Sequence, residues 1–129
     1  MKKILLVEDN HVNRELVREM LEGGDFEVFE AENGLEALHL LPKTQPDLVL
    51  LDIQMPVLDG MSAIKQLRQK PQYASLPVLA LTAYAMVGDR ERVLAAGFSG
   101  YVTKPIDRKT LLAEISLRLS EVEVGDAGK

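Results

Sequence analysis

Four short stretches of the chain, residues 4–7, 48–51, 78–81 and 101–103, are apolar with almost no interruption. They lack the polar/apolar alternation of a strand with one wet face. Each therefore reads as a strand buried on both sides, the pattern of a parallel sheet covered by helices. A weaker run lies over residues 27–31. The segments between them carry helical periodicity. Val12, Leu16, Val17, Met20 and Leu21 fall on one helical face, with Asn13, Arg14, Arg18 and Glu19 opposite, and Gly23-Gly24 ends the segment. Leu35, Leu38 and Leu41 mark a second helix, expected to stop at Pro42. Met61, Ile64 and Leu67 mark a third after the Asp59-Gly60 turn signal. Residues 86–96 form a fourth with Gly97 as its C-terminal cap, and Leu111, Leu112, Ile115 and Leu119 a fifth with Asp107 as N-cap. The order is (βα)5, which implies a doubly wound α/β fold: a five-stranded parallel sheet, right-handed crossovers and helices on both faces.

A length of 129 residues suits one domain. The expected folded unit is 1–121, with residues 122–129 a polar, glycine-containing tail expected to fray. The formal charge of −5 argues against broad binding to a phosphate backbone, so no direct nucleic-acid partner is expected. Cysteine is absent, which excludes disulfides, thiol nucleophiles and Cys-based zinc sites and fits a cytoplasmic location. The apolar run after Met1-Lys2-Lys3 ends at Glu8, too short for a signal peptide. No stretch approaches the roughly 20 apolar residues of a membrane span, so no membrane partner is expected.

In open α/β sheets ligands bind beyond the carboxyl ends of the strands. Those ends carry Glu8 and Asp9, then Asp52, then Thr82, then Thr103-Lys104-Pro105. If the first and third strands are neighbours, Asp9 comes close to Asp52. Carboxylates sharing one pocket repel one another unless something positive sits among them. Mg²⁺ suits that place, because it takes oxygen ligands and needs only one or two carboxylates. A carboxylate can also attack phosphorus to give an acyl phosphate, and such chemistry needs the equatorial phosphoryl oxygens neutralised. Lys104 can supply a fixed ammonium and Thr82 a hydroxyl.

Over roughly residues 3–120 the sequence resembles the receiver domains of response regulators in bacterial two-component signalling, of the chemotaxis-regulator kind. The resemblance is carried by residues 4–10 as first strand and acidic pair, and by residues 50–56 with Asp59-Gly60 as phosphoacceptor loop. Leu81-Thr82-Ala83 and Lys104-Pro105 complete it. All these motifs in order on a (βα)5 pattern are highly specific. The resemblance implies a flavodoxin-like fold and phosphorylation on Asp52. It implies Mg²⁺, with Mn²⁺ as a substitute, on Asp9, Asp52 and the Gln54 backbone carbonyl, with Glu8 acting through water. It implies Ala83 as the small residue beside the phosphoryl group and a cis bond before Pro105. It also implies a switch in which Thr82 is drawn to the phosphate and Tyr101 turns inward. That reshapes the face of the fourth helix, fifth strand and fifth helix, which controls a partner. Gln54 and Tyr84 are expected to tune dephosphorylation.

The implied partners are a sensor histidine kinase or a histidine phosphotransfer protein as donor and a downstream target protein. The chain itself is expected to be a monomer or a weak, phosphorylation-dependent dimer. It would be no enzyme beyond catalysing its own phosphorylation and dephosphorylation. A stand-alone regulator and a receiver belonging to a hybrid kinase both fit.

Each residue also has a plainer reading. Asp9 or Asn10 could cap the first helix, Asp52 could be a turn residue, and Lys104 could be a solvated surface charge. His11 and His39 read as surface residues. An aspartyl-phosphate hydrolase would carry an acid two residues after the nucleophile, where Gln54 stands. A nucleotide or flavin module would need a glycine-rich loop that residues 8–11 lack. A phosphorylation-independent docking scaffold remains the alternative on the same fold.

Overall fold

The computed structural model describes residues 1–55, 58–83 and 88–127, with residues 121–127 described by their backbone. Strands β1 (Lys2–Val7), β2 (Phe26–Ala31), β3 (Leu48–Asp52), β4 (Val78–Thr82) and β5 (Gly100–Thr103) alternate with helices α1 (His11–Leu21), α2 (Gly34–Thr44), α3 (Gly60–Arg68), α4 (Asp89–Ala96) and α5 (Arg108–Ala127). All strands are parallel, in the order β2-β1-β3-β4-β5. The chain moves from β1 outward to β2, then crosses back to β3 on the other side. The β1/β3 boundary is therefore the switch point, where a crevice opens at the carboxyl edge.

Alternate residues of a strand point to opposite faces. Ile4, Leu6, Leu48, Leu50, Leu79 and Leu81 pack against Val17 and Leu21 of α1 and Leu111 and Ile115 of α5. Leu5, Val7, Val49, Leu51, Val78 and Ala80 pack against Leu41 of α2, Ile64 and Leu67 of α3 and Val93 of α4. Both faces are dry, which explains why the central strands are apolar at every position. Glu8 and Asp52 continue the parity of 4-6 and 48-50, so the sheet delivers both carboxylates on the α1/α5 side.

The helix starts are set by short polar side chains. Asn10, Asn33 and Asp59 each accept a hydrogen bond from the backbone N–H three residues on, at 2.9, 2.8 and 2.8 Å. Asp107 does the same for Thr110 at 2.9 Å. The nearby Thr110 N–H and hydroxyl hold the Asp107 carboxyl below its usual range. Gly97, with φ of 119°, ends α4 as the sequence suggests.

Some local readings need correction. α2 does not stop at Pro42 but runs to Thr44. A proline in the last turn forfeits one backbone bond, and Thr44 and Gln45 hold the turn that follows. The Thr44 hydroxyl donates to the Leu40 carbonyl at 2.9 Å, and Gln45, in the left-handed region at φ 48°, donates its N–H to Leu41. On α1 the buried stripe is narrower than the apolar face: Val12 and Leu16 are 62% and 48% exposed. Leu16 and Met20 line a shallow apolar hollow of about 150 Å³ with Lys104, Pro105 and Ile106. α4 is described from Asp89; the expected start at Met86 lies outside the described residues. The α5 backbone is helical over Arg108–Ala127. The stretch holds no proline, and Gly125 costs a helix only about 1 kcal/mol relative to alanine.

Gly60 opens α3 directly behind the end of β3. Its N–H donates to the Ile53 carbonyl at 2.9 Å, and a Cβ there would lie 2.5 Å from the Asp52 carbonyl oxygen and 2.7 Å from Ile53 Cα. Both neighbours are backbone and cannot rotate away. Gly60→Ala is expected to lower the unfolding free energy by about 1–3 kcal/mol, the range for overpacking, read from urea midpoints. An unchanged midpoint would show that the β3–α3 turn is looser than this contact requires.

Candidate functional site

At the carboxyl edge, strand register brings the ends of β1, β3, β4 and β5 level. Val7 pairs with Leu51, Asp52 with Leu81, and Thr82 with Thr103. Glu8 follows β1, with its N–H donated to the Ala31 carbonyl at 3.1 Å, and is 1% exposed. Asp52 is the last residue of β3 and is 2% exposed. Lys104 follows β5, its N–H donated to the Thr82 carbonyl at 2.7 Å. Its ammonium reaches inward to lie 3.1 Å from Glu8 Oε1 and 3.0 Å from Asp52 Oδ2. Asp52 Oδ1 accepts the Gln54 N–H at 3.0 Å. Carboxylate oxygens of Glu8, Asp9 and Asp52 lie within 4.8 Å of one another.

Burial pushes the Glu8 carboxyl above its usual range, and neighbouring Asp52 pushes it further. Lys104 opposes both without cancelling them. For Lys104, burial alone would weaken the ammonium. The hydrogen bonds and charges of Asp52 and Glu8 outweigh that and hold it above the ordinary lysine value. One lysine thus faces an acid-rich pocket that it only partly neutralises.

The donor set suits a hard divalent cation. The clustered groups are all carboxylates, with no sulfur or imidazole among them. Glu8 Oε2 is buried with no hydrogen-bond partner among the described residues. A buried acceptor left this way is costly unless a cation or its water satisfies it. Asp9 is exposed at the mouth of the pocket. It is also not the helix cap, because Asn10 takes that role. Asp9 is therefore left for the site.

The structure brings together Glu8, Asp9, Asp52 and Lys104, with Thr82 buried beside them at the end of β4. Ala83 is exposed at the rim. The Lys104–Pro105 peptide is cis. Tyr101 pairs with Ala80 and is half-buried, lining a hollow of about 580 Å³ with Arg90, Leu94, Glu114 and Arg118 between α4, β5 and α5. Tyr84 and Pro56 lie outside the described residues. One supporting residue, Arg14, carries only a local signal in the sequence, as part of the wet face of α1. Arg14 Nη1 donates to the Glu8 carbonyl at 2.9 Å. Only the tertiary contact reveals this, since helical periodicity alone makes it polar surface.

This combination of parallel order, clustered acids and a lysine after the last strand defines a phosphoacceptor receiver of two-component signalling. Comparison agrees. Residues 4–116 match the family described as response regulator receiver domain. The polar-differentiation response regulator DivK of Brucella anthropi is 38% identical over 120 residues, 93% of this chain and 98% of that protein. Among solved structures, the receiver domain of sensor histidine kinase PA1611 from Pseudomonas aeruginosa PAO1 superposes with a TM-score of 0.85 at 36% identity, covering 92% of this chain and 98% of that one. That structure has a magnesium ion coordinated in its active site cleft. The chemotaxis response regulator CheY4 of Vibrio cholerae gives a TM-score of 0.86 at 32% identity over 92% and 98% of the two chains. The chain belongs to the response regulator receiver domain family. It is a signalling protein rather than a conventional enzyme. No helix among the described residues is long and apolar enough to cross a membrane.

The raised Glu8 carboxyl has a testable consequence. Folded Glu8 keeps its proton above 4.5, where unfolded Glu8 loses it. The folded state then binds more protons, and metal-free stability falls as pH rises through that interval. Glu8→Gln removes the titration. In EDTA, the stability of Glu8→Gln relative to the parent chain is expected to grow as pH rises from 4.5 toward neutrality, followed by urea unfolding. A difference independent of pH would contradict the assignment.

Proposed function

We propose that Asp52 accepts the phosphoryl group from a phosphohistidine on a sensor kinase or a phosphotransfer protein. The observation that carries this is the double contact of Lys104 with Glu8 and Asp52, at 3.1 and 3.0 Å, at the mouth of a crevice that also holds Asp9. An Asp52 carboxylate oxygen attacks phosphorus, the bond from phosphorus to the donor imidazole nitrogen breaks, and that nitrogen keeps the electron pair. Lys104 passes from Asp52 Oδ2 to a phosphoryl oxygen, and the Thr82 hydroxyl donates to another. Mg²⁺, when bound, neutralises charge developing on the phosphoryl oxygens. Asp9, Asp52 and the Gln54 carbonyl would hold it, with Glu8 acting through water, and Mn²⁺ would substitute. Ala83 leaves room at the rim, while Gln54 and Tyr84 tune hydrolysis of the phosphate, which the chain itself catalyses.

The output arises from a new dianion at the end of β3. Thr82 moves toward it, and Tyr101 on the adjacent strand turns into the space released. The hollow between α4, β5 and α5 then changes shape, and a target protein reads that face. The receiver unit is residues 1–121, acting in the cytoplasm as a monomer or as a dimer formed weakly on phosphorylation.

Incubation with acetyl phosphate and Mg²⁺, followed by intact-mass measurement, tests the acceptor. One phosphate adduct is expected on the parent chain, absent in Asp52→Asn and absent without Mg²⁺. An adduct that persists in Asp52→Asn would show a different acceptor.

A further inference from the structure

Asp9 is exposed, and among the described residues no hydrogen bond or ion pair holds its carboxylate. Its direction is therefore set by its backbone. The chain entering Asp9 is held at two successive peptides. The Glu8 N–H, on the Val7–Glu8 peptide, donates to the Ala31 carbonyl at 3.1 Å. The next peptide, Glu8–Asp9, lies past the end of β1. The carbonyl of that peptide accepts Arg14 Nη1 at 2.9 Å.

Arg14 is itself held. Its Nε lies 3.4 Å from Glu30 Oε1 and its Nη2 3.8 Å from Glu32 Oε1, and its side chain is only 13% exposed. Arg18, one turn on, also pairs with Glu30, but is 45% exposed and makes no contact with the acidic loop among its described bonds. Two charges of the same sign thus sit on one helix beside the same acid, and only one of them grips the loop. A guanidinium has a rigid fork, so anchoring it on two acids fixes the donor that meets the carbonyl.

We propose that Arg14 is a positioning residue: anchored by Glu30 and Glu32 of the β2 end, it clamps the Glu8–Asp9 peptide and so sets the affinity of the acidic pocket for Mg²⁺. The proposal rests on reading Glu8, Asp9 and Asp52 as a cation-holding site. A positioning contact beyond the ligands contributes by fixing ligand direction before the ion arrives. Arg14 touches neither the ion nor the phosphoryl group in this scheme. Its effect must therefore appear in metal binding alone, before any phosphodonor is added.

The test is calorimetric titration of the full chain with MgCl2 in the absence of phosphodonor. Arg14→Met keeps the apolar stem and is expected to weaken Mg²⁺ binding about tenfold or more, the range for partners of metal ligands. Arg14→Lys keeps the charge and one donor but not the fork, and is expected to weaken it by less, about threefold. Arg18→Met removes the same charge from the same acid and is expected to stay within about twofold of the parent chain, as a screened surface pair should. Equal weakening in Arg14→Met and Arg18→Met would overturn the clamp in favour of simple charge loss. Parent-like affinity in both Arg14 variants would overturn it outright. If the parent chain itself takes up no Mg²⁺, the cation reading of the pocket falls and the clamp falls with it. If the parent binds and the Arg14 variants bind equally, only the clamp falls. Should Arg14→Met lose its cooperative melt in EDTA, Arg14→Lys decides alone: weakened binding supports the clamp and unchanged binding removes it.

Discussion

Lys104 Nζ lies 3.1 Å from Glu8 Oε1 and 3.0 Å from Asp52 Oδ2, and much of the carboxyl edge depends on that bridge. Glu8 and Asp52 are almost wholly buried, and ionised carboxylates are strongly disfavoured in such surroundings unless paired. A single ammonium compensates part of the charge and leaves a deficit. The deficit is visible in the raised Glu8 carboxyl and in its second oxygen, buried without a partner among the described residues. A pocket in this state favours a cation, and with a cation present it can receive a phosphoryl group whose oxygens need the same positive charge. The strain of assembling the acids and their capacity for chemistry have the same origin.

The fold makes this assembly possible at modest cost elsewhere. With β1 and β3 adjacent and β4 and β5 beyond, four strand ends converge within one crevice. Two dry faces give each central strand a full apolar complement, so the polar residues are confined to the ends. Gly60 lets α3 start hard against the Asp52 backbone, and Asn10 caps α1 so that Asp9 is left for the pocket. Each is a local choice that serves the acidic edge.

Much of this was legible in the sequence because it depends on patterns of short range. Continuous apolar runs marked buried parallel strands, and their order with the helices gave the switch point. Polar residues immediately after those runs marked the site. Glu8, Asp52, Thr82 and Lys104 could thus be placed from position alone, and Asn10 and Asp107 had visible capping chemistry. The misreadings came where tertiary context overrides local rule. Pro42 breaks a helix in isolation, but its turn is held by Thr44 and Gln45. Val12 and Leu16 continue the apolar periodicity of α1 yet remain outside the core, because the sheet beneath covers only the Val17–Leu21 side. Arg14 looks like solvated surface by periodicity; its grip on the Glu8 carbonyl is braced by Glu30 on β2, a contact that helical periodicity does not encode.

In the proposed mechanism, the bridge that holds the resting pocket is also the part that phosphorylation rearranges. Placing a dianion on Asp52 removes the charge Lys104 now pairs with and offers it a stronger one nearby. The most direct test is a crystal structure grown with Mg²⁺ and beryllium fluoride, which mimics an acyl phosphate. The expected result is a trifluoroberyllate on an Asp52 carboxylate oxygen, with Lys104 Nζ moved onto one fluorine, Thr82 Oγ1 onto another, and the ion among Asp9 and Asp52. An adduct on any other side chain would contradict the central role of Asp52, and so would Mg²⁺ bound in the pocket with no adduct and Lys104 still bridging Glu8 and Asp52.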